Sequence, residues 1–406
     1  MTYDLLIKGG HVLDPGQGLD AHLDIAVSGR KIAAIAPDIP ATDADRVLEI
    51  RGADRHVVPG LIDLHTHVAD GAITEGVGMG MCNPDDIGVH SGVTTLVDAG
   101  SVGIANLGVF PAHILPGAKT RVVVMVNAGS YAHTMPGAAD VNSLDEINID
   151  ALVKAAERNP GLIAGVKLRA VGPLLQERGE DVITKAKAAA TDLGVPLMVH
   201  IGDAGAKDDA SAARRAELTR FLLKTFEPGD ILTHLCTPRA GRVLDAAGNP
   251  YPEVTEARER GVTLDSALGM GNFGIEVARR QADIGLLPDT ISSDLTGGGQ
   301  KFHSLLECMA KFMSIGYSLA DVVRATTVNA ARALGLASEI GSIVVGRDAD
   351  LSVIDVVAGD FTFKDTIGQD FTGGYGLVPV RTIKAGEEFS PGWGTHPWGW
   401  LPGSVS

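Results

Sequence analysis

Between residues 61 and 295, short apolar runs alternate with amphipathic stretches, and the alternation repeats along the chain. Strand-like segments rich in Val, Ile, Leu and Thr begin near Leu61, Thr94, Arg121, Ile163, Pro196, Ile231, Val262 and Asp289. Apolar positions at helical spacing occupy Asp150 to Arg158, Asp181 to Leu193, Ser211 to Phe226 and Ile275 to Leu286, with Gly or Pro after most of them. Strand–helix units in this number and at this spacing predict a (β/α)8 barrel of the TIM type.

The ends of the chain follow a different rhythm. Alternating strand patterns at Asp4 to Lys8, Leu23 to Val27 and Lys31 to Ile35 are joined by Gly-rich turns. After helical stretches at His303 to Ile315 and Leu319 to Leu334, strand patterns return at Ser342 to Val345, Leu351 to Asp355 and Val380 to Ala385. The two ends are predicted to join in one small β-sandwich domain, residues 1–57 plus 340–406, beside a barrel at 58–339.

Composition narrows the function. A net charge of −16 over 406 residues opposes binding to nucleic acid or anionic membranes. No apolar run approaches the ~20 residues of a membrane helix, and the first residues lack a signal-peptide pattern, so a cytoplasmic protein is expected. Cys82, Cys236 and Cys308 have no metal-ligand spacing and are expected as reduced thiols. Trp393, Trp398 and Trp400 fall in a Gly/Pro-rich tail suited to a surface strap or a subunit contact, and a homo-oligomer is expected.

Chemistry concentrates where barrel strands end. The first ends in His65-Thr66-His67, and strand alternation puts both imidazoles on one face, half a site for a borderline-soft cation such as Zn²⁺. The fourth ends Lys167-Leu168-Arg169, the fifth at His200, the sixth at His234 and the eighth at Asp294, all at the same rim. Gly269-Met270-Gly271-Asn272-Phe273-Gly274 also spells a dinucleotide fingerprint, but its glycines start several residues after the strand core and its acid would be Asp294.

With these residues in this order, the chain resembles the amidohydrolase superfamily, specifically binuclear members related to dihydroorotase and the N-acyl-amino-acid deacetylases. The resemblance rests on the run Pro59 to His67, the ordered Lys, His, His and Asp, and Gly346-Arg347-Asp348-Ala349-Asp350-Leu351, and it covers nearly the whole chain. It implies two divalent metal ions, with Zn²⁺ first among the candidates. His65, His67 and Asp294 would hold one and His200 and His234 the other, with Lys167 bridging them as a carbamate. A lysine amine of ordinary pKa ~10.4 is a cation and cannot ligate, whereas its adduct with CO₂ is carboxylate-like. Asp294 would also carry the catalytic proton.

Arg169, two residues beyond Lys167, is a candidate for a substrate carboxylate, and Tyr131, His133 and Asn272 are further substrate-binding candidates. The expected activity is hydrolysis of an amide or ester in a small anionic molecule, by deacylation of an N-acyl amino acid or O-acyl hydroxy acid. A cyclic amidohydrolase of the dihydroorotase or hydantoinase type is the alternative within the class. A non-catalytic structural relative is the alternative outside it, opposed by the filled ligand positions.

Overall fold

The computed structural model describes all residues except 1, 53, 71–79, 135–140, 299–301, 393–399, 402, 405 and 406. Five strands open the chain: β1 (Leu5–Asp14), β2 (Leu19–Ser28), β3 (Lys31–Ala36), β4 (Val47–Glu49) and β5 (Arg55–Pro59). Seven follow in the middle: β6 (Leu61–Thr66), β7 (Val93–Ala99), β8 (Arg121–Asn127), β9 (Ile163–Arg169), β10 (Leu197–His200), β11 (Ile231–Thr233) and β12 (Thr263–Asp265). Near the end come β13 (Leu351–Lys364), β14 (Asp370–Lys384), β15 (Glu387–Phe389) and the short β16 (Gly403–Ser404).

Strands from both ends of the chain share one nine-stranded sheet. Strand β5 joins them, pairing parallel with β1 and antiparallel with β13. A bidentate pair fastens the seam, with Arg55 Nε 2.6 Å from Asp355 Oδ1 and Nη2 2.7 Å from Oδ2. The terminal strands run longer than the apolar pattern predicts because Gly373, Gly374 and Gly376 dilute the alternation in β14. The strand expected at Ser342 to Val345 is absent. Gly341 and Gly346 adopt φ of 83° and 89° on either side, and the Ile343 N–H donates instead to Asp14 Oδ2 at 2.7 Å. In the tail, Trp393 and Trp398 lie outside the described residues, and Trp400 Nε1 donates to the Gly392 carbonyl at 2.6 Å.

Strands β6 to β12 are parallel neighbours in chain order, in a mixed α/β arrangement. Every residue of β6 and β7 is buried, as a parallel sheet covered on both faces requires. Alternation then sorts the side chains. Val124, Val166, Leu168 and Val199 pack with helix residues Leu152, Val182 and Leu218, while Val97, Met125, Met198 and Ile231 pack with one another. Lys167, set between Val166 and Leu168 and paired in register with Met198, belongs to the second side.

The eighth apolar run departs from a regular strand. Residues 290–295 make single parallel bridges, Thr290 to Asp265 of β12 and Leu295 to Thr66 of β6, and so hydrogen-bond to both edges of the seven-stranded sheet. Two causes are visible. The hydroxyls of Ser292 and Ser293 bond to the buried carboxylates of Asp265 and Asp63, and Asp294 takes φ of 56°, which extended backbone excludes.

Helix positions largely follow the pattern. Asn148 caps Ile149–Arg158, and a capping box formed by Asp208 and Ser211 starts Asp209–Thr225. The helix expected from Asp181 begins earlier, at Pro173, and departs from helical geometry at Arg178. The expected Leu319 to Leu334 helix is two, Leu319–Ala325 and Val328–Ala333, because Thr326 and Thr327 turn their hydroxyls onto carbonyls three and four residues back. Among the described residues, no helix is long and apolar enough to cross a membrane.

Candidate active site

Six side chains from five places along the chain meet at one end of the parallel sheet. Strand register sets part of this arrangement: His200 pairs with Arg169 on one side and Thr233 on the other, and Met198 with Lys167. The rest comes from strand exits. His234 adopts φ of 74° and Asp294 of 56°, left-handed conformations costly for residues with a Cβ, which the surrounding bonds hold in place. Such outliers turn side chains out of the strand alternation at the rim.

The Asp294 carboxylate lies at the centre of the group. Its Oδ1 is 3.3 Å from His65 Nε2 and 3.1 Å from His67 Nε2, and its Oδ2 is 3.8 Å from His234 Nε2. Lys167 Nζ is 3.0 Å from His65 Nε2, and the His200 and His234 rings sit 4.1 Å apart at 72°. Of these, His65, His234 and Asp294 each offer a ligand-type atom within 4.8 Å of the others.

Outer partners fix which nitrogen faces inward. Thr233 Oγ1 donates to Asp265 Oδ2 at 2.7 Å, so it accepts from His65 Nδ1 at 2.9 Å. In the same way, Ser101 Oγ donates to Asp98 Oδ2 at 2.7 Å and accepts from His67 Nδ1 at 2.8 Å. His234 Nδ1 donates to the Ala267 carbonyl at 2.7 Å. All three rings therefore turn Nε2 toward the Asp294 carboxylate. His234 Nε2 is buried with no hydrogen-bond partner, an orphan acceptor aimed into the group.

The electrostatics favour neutral imidazoles at His65, His200 and His234 beside an ionised Asp294 carboxylate. Burial, together with the Lys167 charge, drives His65 well below the ordinary histidine range, and burial above all does the same to His200. His234 falls to about 4, chiefly through burial, although Asp294 pulls the other way. Burial would raise Asp294, but the hydrogen bond to His67 and the neighbouring positive charges override it and hold the carboxyl below its usual range. Neutral imidazole lone pairs and a carboxylate are a divalent-metal donor set, and the orphan His234 nitrogen is the atom such an ion would satisfy.

A cavity of about 210 Å³ opens over the group. Among the predicted substrate residues, Arg169, His133 and Asn272 line it. The His133 ring stands edge-on to His67 at 5.3 Å, and Asn272 Oδ1 accepts from Thr237 Oγ1 at 3.0 Å, leaving the amide nitrogen available to donate. Tyr131, on the stretch of chain after β8, is exposed, while its neighbour Ala132 is buried. Sequence reasoning missed Arg239, which also lines the cavity. Its Nε donates to the Gly271 carbonyl at 2.7 Å, and it meets no carboxylate among the described residues. The acid on the wall, Asp203, is already paired with buried Arg215 at 2.7 Å. Arg239 follows the His234 exit by five residues, a loop position that no strand or helix period marks. The hydroxyl and carboxylate partners Thr233, Asp265, Ser101 and Asp98 also escaped notice, since such residues are common near strand ends.

Comparison with known proteins identifies the family. A family model described as the amidohydrolase family matches residues 56–388. A deacetylase of Brucella anthropi is 30% identical over 357 residues, spanning 86% of this chain and 83% of its own length. A crystal structure of an adenine deaminase superposes with a TM-score of 0.82 at 27% identity, covering 96% of this chain and all of the other. A crystal structure of a dihydroorotase gives 0.81 at 28% identity, covering 95% and 97%.

Proposed function

The chain belongs to the amidohydrolase family and is a hydrolytic enzyme, and from that premise we propose that it is a binuclear metallohydrolase that deacylates a small carboxylic acid, an N-acyl amino acid or an O-acyl hydroxy acid. The observation that carries this is the meeting of His65, His67, Lys167, His200, His234 and Asp294 beneath a cavity whose wall bears Arg169 and Arg239. The barrel is read as a (β/α)8 ring, with residues 290–295 as its irregular eighth member.

His65, His67 and Asp294 would hold one divalent ion and His200 and His234 the other, Zn²⁺ being the first choice for imidazole ligands. Lys167, as a carbamate, would contribute to both. When bound, the ions supply Lewis-acid chemistry, polarising an acyl carbonyl and lowering the pKa of water. Asp294 takes a proton from the attacking water and delivers it to the departing nitrogen or oxygen, so that the new carbon–oxygen bond and the broken acyl bond balance. Arg169 and Arg239 orient the substrate carboxylate with charge-assisted hydrogen bonds, and Asn272 donates from its amide.

The B. anthropi deacetylase, similar along most of both chains, supports acyl transfer to water rather than ring opening. Assays of N-acyl amino acids, O-acyl hydroxy acids and cyclic amides, each as both stereoisomers, test the assignment. Turnover of an acyl acid by metal-loaded protein, lost on chelation, is expected. Turnover restricted to cyclic amides, or activity indifferent to chelator, would overturn it.

A further inference from the structure

Away from the barrel mouth, the end sheet brings three histidines into line. His11 on central strand β1 lies directly opposite His22 on β2 and directly opposite His56 on β5. Strand β1 is thus flanked on both sides by an imidazole at the same rung. The rings follow the backbone: His11 and His22 have centroids 5.0 Å apart, and His11 and His56 4.7 Å. Asp20, two residues before His22, shares its face, and Asp20 Oδ1 is 2.6 Å from His11 Nε2.

Three imidazoles in a row are a poor choice for a solvated sheet face, because like charges opposite each other destabilise strand pairing once protonated. They are a good choice for a metal ion. Cross-strand Cβ atoms stand ~4.5–5.5 Å apart, which lets two imidazoles reach one ion from neighbouring strands. Two of the three already have the outer partner that metal-ligating histidines use. Asp20 accepts from His11 Nε2 and leaves Nδ1 as the donor atom, and the Asp54 carbonyl lies 3.3 Å from His56 Nδ1 and leaves Nε2. His22 is exposed and turns without disturbing the core.

We propose that His11, His22 and His56, with Asp20 as the positioning carboxylate, form a surface site for an imidazole-preferring divalent transition ion such as Zn²⁺, Ni²⁺ or Cu²⁺. With the ring pairs tilted by 33° and 30°, rotation about the side-chain bonds would bring the imidazoles onto the ion while the strand register stays fixed. Water completes the coordination.

Equilibrium dialysis of untagged full-length protein against buffered Zn²⁺, followed by elemental analysis, tests this with His22→Gln and His56→Gln, singly and together. Wild type should hold about one equivalent more than the double variant. Ions at the barrel mouth cancel in that difference, and the thermal transition should be preserved. Cu²⁺ added to Zn²⁺-saturated protein should give imidazole-nitrogen hyperfine structure in its spin-resonance spectrum, lost in the variants. Should His56→Gln disturb the sheet, Asp20→Asn on the exposed rim should still weaken the ion ~10- to 100-fold. Equal metal counts in wild type and variants, or unchanged affinity in Asp20→Asn, would overturn the site.

Discussion

Thr233 Oγ1 stands 2.9 Å from His65 Nδ1 and 2.7 Å from Asp265 Oδ2, so one hydroxyl passes the orientation of a buried carboxylate to an imidazole at the end of the parallel sheet. Ser101 does the same between Asp98 and His67. Removing the hydroxyl leaves the His65 N–H and the Asp265 oxygen buried without that partner and frees the ring to choose the wrong tautomer. Thr233→Val should therefore bind divalent ions ~10- to 100-fold more weakly while keeping its fold. Retention of metal during dialysis against graded chelator measures this, and wild-type retention would remove the relay from the account.

Lys167 is buried, with its nitrogen against His65 Nε2 and 3.6 Å from the Met198 sulfur. If its working form is a carbamate, Lys167→Ala should lose turnover and regain part of it with short carboxylic acids, which restore an anion in the same space. Lys167→Gln, which fills the space without the charge, should not respond in that way. Rescue kinetics with acetate and propionate check the pair, and indifference of Lys167→Ala to both acids would count against the carbamate.

Much of this grouping was legible because neighbouring parallel strands end together at one edge of their sheet and alternate with period two. His65, His67, Lys167 and His200 follow from those rules. His234 and Asp294 were found at strand ends, but the rules could not give their left-handed φ values, which local hydrogen bonds select. The eighth run is less regular than its apolar pattern suggests for the same reason: its Ser292 and Ser293 look like ordinary strand residues, and only the fold supplies the buried carboxylates they bond. Arg239 was invisible because its place depends on contact with Gly271, 32 residues away along the chain.

A pH effect away from the candidate active site is expected at Glu253. Hydrogen bonds from Arg220, with help from Lys224, hold its carboxyl down at about 2 despite burial. A carboxyl depressed in the folded state stabilises fully above its unfolded pKa of ~4.3, and the contribution fades as pH falls from there toward the folded value. Wild type should melt above Glu253→Gln at neutral pH, and the gap should narrow as pH drops below about 4. Thermal scans across that range test it, and a gap that widens in acid would contradict the sign.

Substrate selectivity turns on how Arg239 is held. Its Nε is tied to the Gly271 carbonyl, and a Cβ built on Gly271 would come within 2.0 Å of Arg239 Nη2. Glycine at 271 is thus what allows the guanidinium to lie against the backbone at the cavity wall. A charge-assisted hydrogen bond to a carboxylate is worth ~1.5–3 kcal/mol, so Arg239→Met and Arg169→Met should each lower kcat/KM for acyl acids by tens- to a few-hundredfold. Neutral esters of the same acids should start poor and change little. Gly271→Ala should mimic Arg239→Met with the guanidinium still present, since the added methyl displaces it. Kinetics on matched acid and ester substrates for the three variants decide the matter. Equal losses on both substrates would assign Arg169 and Arg239 to holding the loops in shape, and wild-type selectivity in Gly271→Ala would show that the Arg239 position is not what reads the acid.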